Sequence, residues 1–286
     1  MFIHFPKNRE NEPSLRPIGV FDSGIGGLTV VSALRDLLPH EDIFYIGDTA
    51  RLPYGGKSKA TIERYSIEIS GLLLAENAKL IVVACNTSSS LALAKLHEIL
   101  RVPVVGVIAP GARAAVKETR IGHVGVIGTR STIKSEAYER AIQALNPVVR
   151  VTSQACPLLV PLVEEAWLKE EVTREVLHRY LDPIIAAGID TLVLGCTHYP
   201  LLAPLIQEVA GPGVHLVDSA KNCAVAVKQT LMESSLENII ERAGKLNVAL
   251  TDSSSSFLAT ARQALQLQID SLETRIVQSM VLVEMA

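Results

Sequence analysis

The sequence predicts an α/β protein of two similar lobes with mostly parallel sheets, related by a pseudo-twofold axis, with the active site in the cleft between them. Two observations support this prediction. Short apolar runs rich in Val and Ile alternate with segments of helical length, which is typical of parallel sheets buried on both faces. The chain also contains an internal repeat, because IGVFDSG resembles VGVIGTR, and LIVVACNTSS resembles TLVLGCTHYP at a comparable spacing.

The predicted strands are short and almost wholly apolar. In chain order they cover residues 18–21, 43–46, 80–84, 104–108, 124–127, 191–194, 215–217 and 246–250. Segments of helical length lie between them at 27–38, 59–77, 132–145 and 172–187. This alternation favours right-handed crossovers between parallel strands. After Asp218 we expect a helix, the strand at 246–250 and a further helix.

Composition limits the classes of protein to consider. The chain has 286 residues, of which 48% are hydrophobic and 20% charged, as in a folded globular protein. The formal net charge of −3 argues against a nucleic-acid partner. No apolar run is long enough for a membrane span, and the N-terminus lacks the features of a signal peptide. We therefore expect a cytoplasmic location and a loosely ordered N-terminal arm over residues 1–16.

The four cysteines are expected to be free thiols. They are Cys85, Cys156, Cys196 and Cys223, and none forms a C-x-x-C pair. Cys156 and Cys223 have no partner motif, so we predict that they are structural. A cysteine after a strand is usually a small buried hydrophobe. However, Cys85 and Cys196 occupy matched positions in the repeat.

Two glycine-rich loops resemble nucleotide-binding motifs but fail their patterns. The loop at 22–27 has Thr29 where a dinucleotide fingerprint requires glycine, and the loop at 53–58 has Arg51 where a phosphate-binding loop requires glycine. The first loop could still offer backbone N–H groups to a carboxylate at a helix N-terminus, or be only a turn capped by Asp22. The second could contact a substrate or be a plain surface turn.

The paired cysteines suggest a specific chemistry. If the lobes are related by a pseudo-twofold axis, the two thiols face each other across the cleft. Racemisation needs one group that removes the α-proton from one face and a second group that returns a proton to the other face. An unperturbed thiol pKa of about 8.5 suits both tasks near neutral pH. Asp22 and His198 are plausible assistants to these thiols.

Several motifs together resemble glutamate racemase, within the aspartate/glutamate racemase family. They are FDSGIGGLTV, YIGDTARLPYG, VVACNTSS, GVIGTRST, PLLVPLVEEAW, LVLGCTHYPLL and LVDSA. They occur in the family's order and cover most of the chain from about residue 18 to 220. Aspartate racemases share the two cysteine signatures but lack the His-Tyr-Pro continuation found here at 198–200.

The resemblance implies a site and a division into lobes. Its implied catalytic residues are Cys85, Cys196, Asp22, Glu164 and His198. The implied substrate contacts are Asp22, Ser23, Tyr54, Gly55, Asn86, Thr87, Thr197 and His198. Because Glu165 follows Glu164, the sequence does not decide which of the two reaches the cleft. The first lobe is expected to span 17–109 plus 219–286, and the second 110–218.

The resemblance also implies a biological setting. We expect no pyridoxal phosphate, no metal and no other cofactor, and a product, D-glutamate, that supplies peptidoglycan synthesis. We expect glutamate as the small-molecule partner, a homodimer, and no membrane or nucleic-acid partner. Some family members with an N-terminal extension respond to a cell-wall precursor, which is a candidate activator here. Since the motif loops contain few basic residues, we expect the substrate carboxylates to meet backbone N–H groups and hydroxyls.

Three alternatives stay open at the level of sequence. The first is a racemase for another acidic amino acid. The second is a hydrolase with one nucleophilic cysteine and His198, in which only one cysteine would matter. The third is a two-lobed binding protein without catalysis, which would bind a ligand but leave its α-hydrogen in place.

Overall fold

A computed structural model of the chain describes residues 12–252 and 265–277. Within these ranges the strands form two sheets, and all paired neighbours in both sheets are parallel. The strands are β1 Ile18–Asp22, β2 Ile43–Gly47, β3 Leu80–Val83, β4 Val104–Gly106, β5 His123–Gly128, β6 Arg150–Ala155, β7 Thr191–Gly195, β8 His215–Asp218, β9 Leu246–Leu250 and β10 Ser271–Thr274. The predicted α/β class with parallel sheets is confirmed.

Helices connect these strands. They are α1 Leu28–Leu37, α2 Lys59–Ala75, α3 Asn86–Leu91, α4 Leu93–Ile99, α5 Ile108–Glu118, α6 Arg130–Lys134, α7 Ala137–Leu145, α8 Leu159–Glu164, α9 Glu171–Ala186, α10 Ala203–Ala210 and α11 Ser219–Glu233. None of the helices in the described ranges is both long and apolar enough to span a bilayer.

The order of the strands repeats between the two sheets. The first sheet has the order β10-β9-β2-β1-β3-β4, and the second has β6-β5-β7-β8. The segment β2-β1-β3-β4 therefore matches β6-β5-β7-β8, strand for strand, as the internal repeat predicts. We call each sheet with its helices a lobe: the first lobe contains β1 and the second contains β5.

The central strands are buried because they carry apolar side chains on both faces. All residues of β1, β2, β3, β5 and β7 are buried. One hydrophobic cluster joins the lobes, since it includes Ile18 and Val82 of the first sheet together with Val126 and Val193 of the second. The lobes therefore share part of their core.

One predicted helix is interrupted, and one predicted strand ends earlier than expected. The segment predicted as one helix at 132–145 is two helices, because Glu136 adopts a left-handed conformation with φ of 54° between α6 and α7. The strand predicted at 104–108 ends at Gly106, and Ile108 begins α5. Both errors arise where an apolar pattern continues across a change in backbone conformation.

Two strands escape the sequence prediction because they lack an apolar pattern. β6 reads RVTSQA and is largely half-buried, and β10 reads SLET and is exposed along its length. The further helix predicted after Leu250 falls partly on residues 253–264, which lie outside the described residues.

The start of the chain is described only from Glu12. Residues 1–11 of the predicted arm lie outside the described residues, and Pro13–Leu15 forms a short 3-10 turn. The Nζ atom of Lys79 donates a hydrogen bond to the Ser14 carbonyl at 2.5 Å and pairs with the buried Glu41 carboxylate at 2.5 Å. A buried ion pair just before the N-terminal ends of β2 and β3 thus anchors the turn.

Candidate active site

A cavity of about 350 Å³ opens where the carboxyl ends of the central strands of both lobes meet. In each sheet the direction of the strand order reverses beside the strand that comes first in the chain. This topological switch point lies between β1 and β3 in the first sheet, and between β5 and β7 in the second. Ligands bind at such points in open α/β sheets. The cavity is lined by Ser23, Leu52, Pro53, Tyr54, Gly55, Gly56, Cys85, Asn86, Thr87, Thr129, Arg130, Pro157, Val160, Pro161, Glu164, Cys196, Thr197 and His198.

The cavity unites most of the predicted residues. Both cysteines, Glu164 and all the predicted substrate contacts except Asp22 line it. A larger, more open depression of about 810 Å³ lies against α1 and α11 and contains none of the predicted site residues. The smaller cavity is therefore the candidate active site.

On the side of the second lobe, Cys196 has a charged histidine next to it. His198 Nδ1 lies 3.8 Å from Cys196 Sγ, and His198 Nε2 lies 2.6 Å from Glu164 Oε1. Burial alone would lower the pKa of His198, but its hydrogen bonds with Cys196 and Glu164 and their charges raise that pKa to about 10. A protonated imidazole donates from both nitrogens, so His198 links the thiol to the carboxylate.

The choice between the two adjacent glutamates is a matter of position on α8. Glu164 faces His198, and its side chain is 19% exposed. Glu165 follows the helix end and is exposed to solvent. Glu164 is therefore the residue that reaches the site.

On the side of the first lobe, Cys85 has an apolar environment. It is 5% exposed and packs in a cluster with Tyr54, Ile62 and Ala92. Burial, together with the negative charge of Asp22, raises the pKa of the Cys85 thiol to about 12. Cys85 is therefore a protonated thiol at neutral pH.

Asp22 is completely buried and is not among the cavity-lining residues of the described chain. Its Oδ2 accepts hydrogen bonds from the N–H groups of Gly24 at 3.2 Å and Gly27 at 2.9 Å. Burial raises the pKa of Asp22, while the charge of His198 and these N–H groups oppose the rise. Of the two interpretations left open for this loop, the geometry favours the turn capped by Asp22, because two glycine N–H groups that could have met a carboxylate are occupied by Asp22.

The glycine loop after β1 presses against the second lobe. A Cβ atom on Gly26 would lie 2.4 Å from both Thr197 Oγ1 and His198 Nδ1, so only glycine fits there. Thr29 Oγ1 donates to the Thr197 carbonyl at 3.1 Å, and Thr197 Oγ1 donates to Asp22 Oδ1 at 3.4 Å. These contacts hold the Cys196 loop against the first lobe.

A buried charge network supports the Tyr54–Gly55 turn. Asp48 accepts hydrogen bonds from the Tyr54 hydroxyl, from Arg51 Nε at 2.6 Å and from Thr251 Oγ1 at 2.9 Å. The Gly55 carbonyl accepts from the Ser131 N–H at 3.0 Å. The turn is thus fixed to both lobes.

Two polar residues that the sequence analysis did not single out also line the cavity. Thr129 Oγ1 lies 3.0 Å from Thr87 Oγ1, and the exposed Arg130 stands beside it. The repeat contained the signal, since the loop after β5 is the counterpart of the loop after β1. The expectation that the substrate carboxylates meet neutral groups, because the motif loops contain few basic residues, did not consider Arg130.

The other two cysteines lie in the core. Cys156 and Cys223 have no exposed surface, and all four cysteines are free thiols. Within residues 12–252 and 265–277, His, Cys, Asp and Glu side chains form no group of three or more with metal-binding geometry.

Comparison with known proteins relates this site to a family. Residues 28–229 match the model of the Asp/Glu/Hydantoin racemase family. The glutamate racemase of Syntrophus aciditrophicus is 56% identical over 229 residues, which are 80% of this chain and 85% of that protein.

Solved structures share the fold as well as the sequence. Glutamate racemase from Francisella tularensis, in complex with D-glutamate, has a TM-score of 0.85 at 37% identity, over 93% of this chain and 98% of that one. Escherichia coli glutamate racemase, in complex with L-glutamate and the activator UDP-MurNAc-ala, has a TM-score of 0.77 at 31% identity, over 92% and 99%.

Two parallel α/β lobes that bring ionisable groups into one cleft at their switch points define a small-molecule enzyme. The chain belongs to the Asp/Glu/Hydantoin racemase family and is an amino-acid racemase, an isomerase. Family membership decides against the alternatives of a cysteine hydrolase and of a binding protein without catalysis.

Proposed function

We propose that the chain interconverts L-glutamate and D-glutamate without a cofactor, with Cys85 and Cys196 as the paired acid and base. The observation that carries this proposal is the placement of two thiols from matched positions of the two lobes in one small cavity. The substrate is inferred from relatives such as the glutamate racemase of Syntrophus aciditrophicus, at 56% identity. This leaves other acidic amino acids as the competing substrates.

The geometry supports a division of labour between the thiols. A nearby cation favours the thiolate form of a cysteine, and the protonated His198 lies next to Cys196. In one direction the Cys196 thiolate takes the α-proton and becomes a thiol, while the Cys85 thiol gives its proton to the opposite face and becomes a thiolate. The reverse direction exchanges these roles. Proton exchange with water restores the starting state.

Glu164, His198 and Asp22 are proposed to assist without forming bonds to carbon. Glu164 keeps His198 protonated, and His198 stabilises negative charge on Cys196. Asp22 holds the loop after β1 and keeps Cys85 in its thiol form.

Substrate carboxylates are proposed to meet neutral donors at the cavity wall. The candidates are Ser23, Gly55, Asn86, Thr87 and Thr197, all of which line the cavity. Hydrogen bonds to charged groups contribute about 1.5–3 kcal/mol each, so several of them suffice for reversible binding. Arg130 adds a cation at the edge of this set.

The decisive experiment is incubation of the purified protein with L-glutamate in D₂O, followed by chiral separation and mass spectrometry. A two-base mechanism yields D-glutamate with one deuterium at Cα, while the remaining L-glutamate initially keeps its hydrogen. L-Aspartate is the matched alternative substrate. Faster conversion of aspartate, or product without deuterium, would contradict the proposal.

Independence from cofactors has its own test. We expect enzyme dialysed against a chelator to retain its activity and to show no absorbance band above that of the protein. Activity that returns only with pyridoxal phosphate or a metal ion would refute this part.

The wider role is inferred from the family resemblance. We propose that the D-glutamate supplies peptidoglycan synthesis in the cytoplasm, that the chain acts as a homodimer, and that its lobes divide near residues 109 and 219. The activator named with the Escherichia coli relative makes UDP-MurNAc-ala the compound to test here. An increase in kcat/KM on its addition would support activation, and light scattering of the pure protein would test the dimer.

A further inference from the structure

Tyr138 belongs to the second lobe but reaches the first. It lies on α7, is 2% exposed, and donates a hydrogen bond from its hydroxyl to Asn86 Oδ1 at 2.8 Å. Its ring packs against Gly195, where an added Cβ would lie 3.1 Å from the ring. Gly195 precedes Cys196, and Asn86 follows Cys85. One tyrosine therefore contacts the residues next to both thiols.

The amide of Asn86 is satisfied at only one end. Its Oδ1 accepts from Tyr138, whereas its buried Nδ2 has no hydrogen-bond partner among the described residues. Asn86 is 2% exposed and lines the cavity. A buried N–H without a partner is costly, and native proteins rarely retain one without a reason. The Nδ2 group is thus an unsatisfied donor on a residue that lines the cavity.

The orientation of this amide determines what the cavity presents. An amide carries two donors at one end and an acceptor at the other, and it can exchange the two by turning about its last bond. A hydroxyl that donates to Oδ1 favours the orientation in which Nδ2 remains for the ligand. The opposite orientation would present an oxygen to a substrate carboxylate and repel it.

We propose that Tyr138 is a positioning residue that fixes the Asn86 amide with its Nδ2 donor available to a substrate carboxylate. The inference rests on the proposed function, since it requires a carboxylate substrate. Specificity for a carboxylate would then depend on a contact between the lobes, because the Tyr138 hydroxyl of the second lobe orients the Asn86 donor of the first.

The test is a double-mutant cycle with Tyr138→Phe and Asn86→Ala. The phenylalanine keeps the ring packing and removes only the hydroxyl. We expect its KM for glutamate to rise about 3- to 10-fold, the range of one hydrogen bond, with kcat within about twofold of wild type. Asn86→Ala should raise KM further. Because Tyr138 acts through Asn86, the double variant should match Asn86→Ala alone.

Tyr180→Phe is the matched control, since it removes a hydroxyl from α9, away from the cavity lining. It should leave KM unchanged. An unchanged KM in Tyr138→Phe, or full additivity in the double variant, would overturn the inference. A fall in kcat and a rise in KM by the same factor, together with a lowered Tm, would also overturn it, because these changes would indicate a purely structural role. Inactivity of the wild type toward glutamate would instead reject the proposed function.

Discussion

The two halves of the site occupy equivalent positions in the repeat, but their electrostatic environments differ. Cys85 follows β3 and lies in an apolar cluster with Tyr54 and Ile62, where burial and the charge of Asp22 raise the thiol pKa to about 12. Cys196 follows β7 and lies 3.8 Å from a nitrogen of His198, whose pKa is raised to about 10. The repeated fold therefore fixes where the thiols stand, and a few nearby side chains give them different electrostatic environments.

This difference matters because racemisation needs both protonation states at the same time. Two identical environments would favour two thiols or two thiolates. With a thiol at Cys85 and a cation beside Cys196, the site contains one acid and one candidate base. The asymmetry lies in the local residues and not in the topology, so it can be tested one lobe at a time.

The largest effect is expected from removing either thiol. Cys85→Ala and Cys196→Ala should each lower kcat/KM by at least about 10²-fold in both directions, because each removes an acid/base group that the other cannot replace. Circular dichroism of glutamate measures both directions. Cys223→Ala, which alters a buried cysteine on α11, is the control and should stay active. Near-wild-type turnover in either catalytic variant would contradict the two-thiol mechanism.

The packing of the two lobes can be compared at a matched pair of glycines, one in β1 and one in β5. A Cβ on Gly19 would lie 2.9 Å from the Cβ of Ala78, which is fixed to the backbone. A Cβ on Gly125 would lie 2.6 Å from Cδ1 of Ile189, the flexible end of a side chain. We therefore expect Gly19→Ala to lower the free energy of unfolding by about 2 kcal/mol and Gly125→Ala by less.

Urea denaturation of the two glycine variants measures this difference. Both should keep a wild-type KM when folded, since neither glycine lines the cavity in the described chain. A larger loss of stability in Gly125→Ala would show that the second lobe is the less adaptable one.

How much the sequence predicts also differs between parts of the molecule. The buried strands were predicted because their apolar side chains fill both faces of a sheet, whereas β6 and β10 lie at sheet edges and have no such pattern. The paired thiols followed from the repeat. The pairing of Glu164 with His198 and the contact of Tyr138 with Asn86 depend on how the lobes pack, which periodicity does not encode.

Removing the charge of Glu164 should lower kcat/KM by about tenfold. In Glu164→Gln the pKa of His198 should fall, because the carboxylate charge that opposes the effect of burial is removed. We expect it to fall to about one unit below the assay pH, where only about a tenth of the imidazole is protonated, so that kcat/KM at neutral pH drops by about tenfold. The folded-state pKa of His198 is raised above 6.5, so its contribution to stability is complete below about pH 6.5 and is lost as the pH rises through about 10. In the variant this loss should occur at lower pH.

Glu165→Gln is the matched control, because Glu165 is the exposed neighbour. Alkylation by iodoacetamide with mass mapping gives an independent readout, since the thiolate is the reactive form. Glu164→Gln should slow alkylation of Cys196 and leave that of Cys85 unchanged. Equal slowing of alkylation at both cysteines would show that Glu164 does not act specifically on Cys196.

The smallest effects are expected from two threonines on opposite sides of the cavity. Thr87 Oγ1 lies 3.0 Å from Thr129 Oγ1 and 3.3 Å from Thr132 Oγ1, within a cluster of three hydroxyls. Thr197 Oγ1 has only longer contacts, at 3.4 Å to Asp22 and 3.5 Å to His198. A substrate can therefore draw on the Thr197 hydroxyl without breaking a short bond.

Valine at either position keeps the shape of the side chain and removes its hydroxyl. In Thr87→Val the Thr129 hydroxyl remains at the cavity wall and can take over part of the contact. We therefore expect KM to rise about fivefold in Thr197→Val and about twofold in Thr87→Val, both within the range of one hydrogen bond. The effects should vary little with salt, because an enclosed site is weakly screened. Thr230→Val on α11 is the control and should leave KM unchanged. A larger rise in KM for Thr87→Val than for Thr197→Val would mean that the first lobe, through its hydroxyl cluster, supplies the stronger contact.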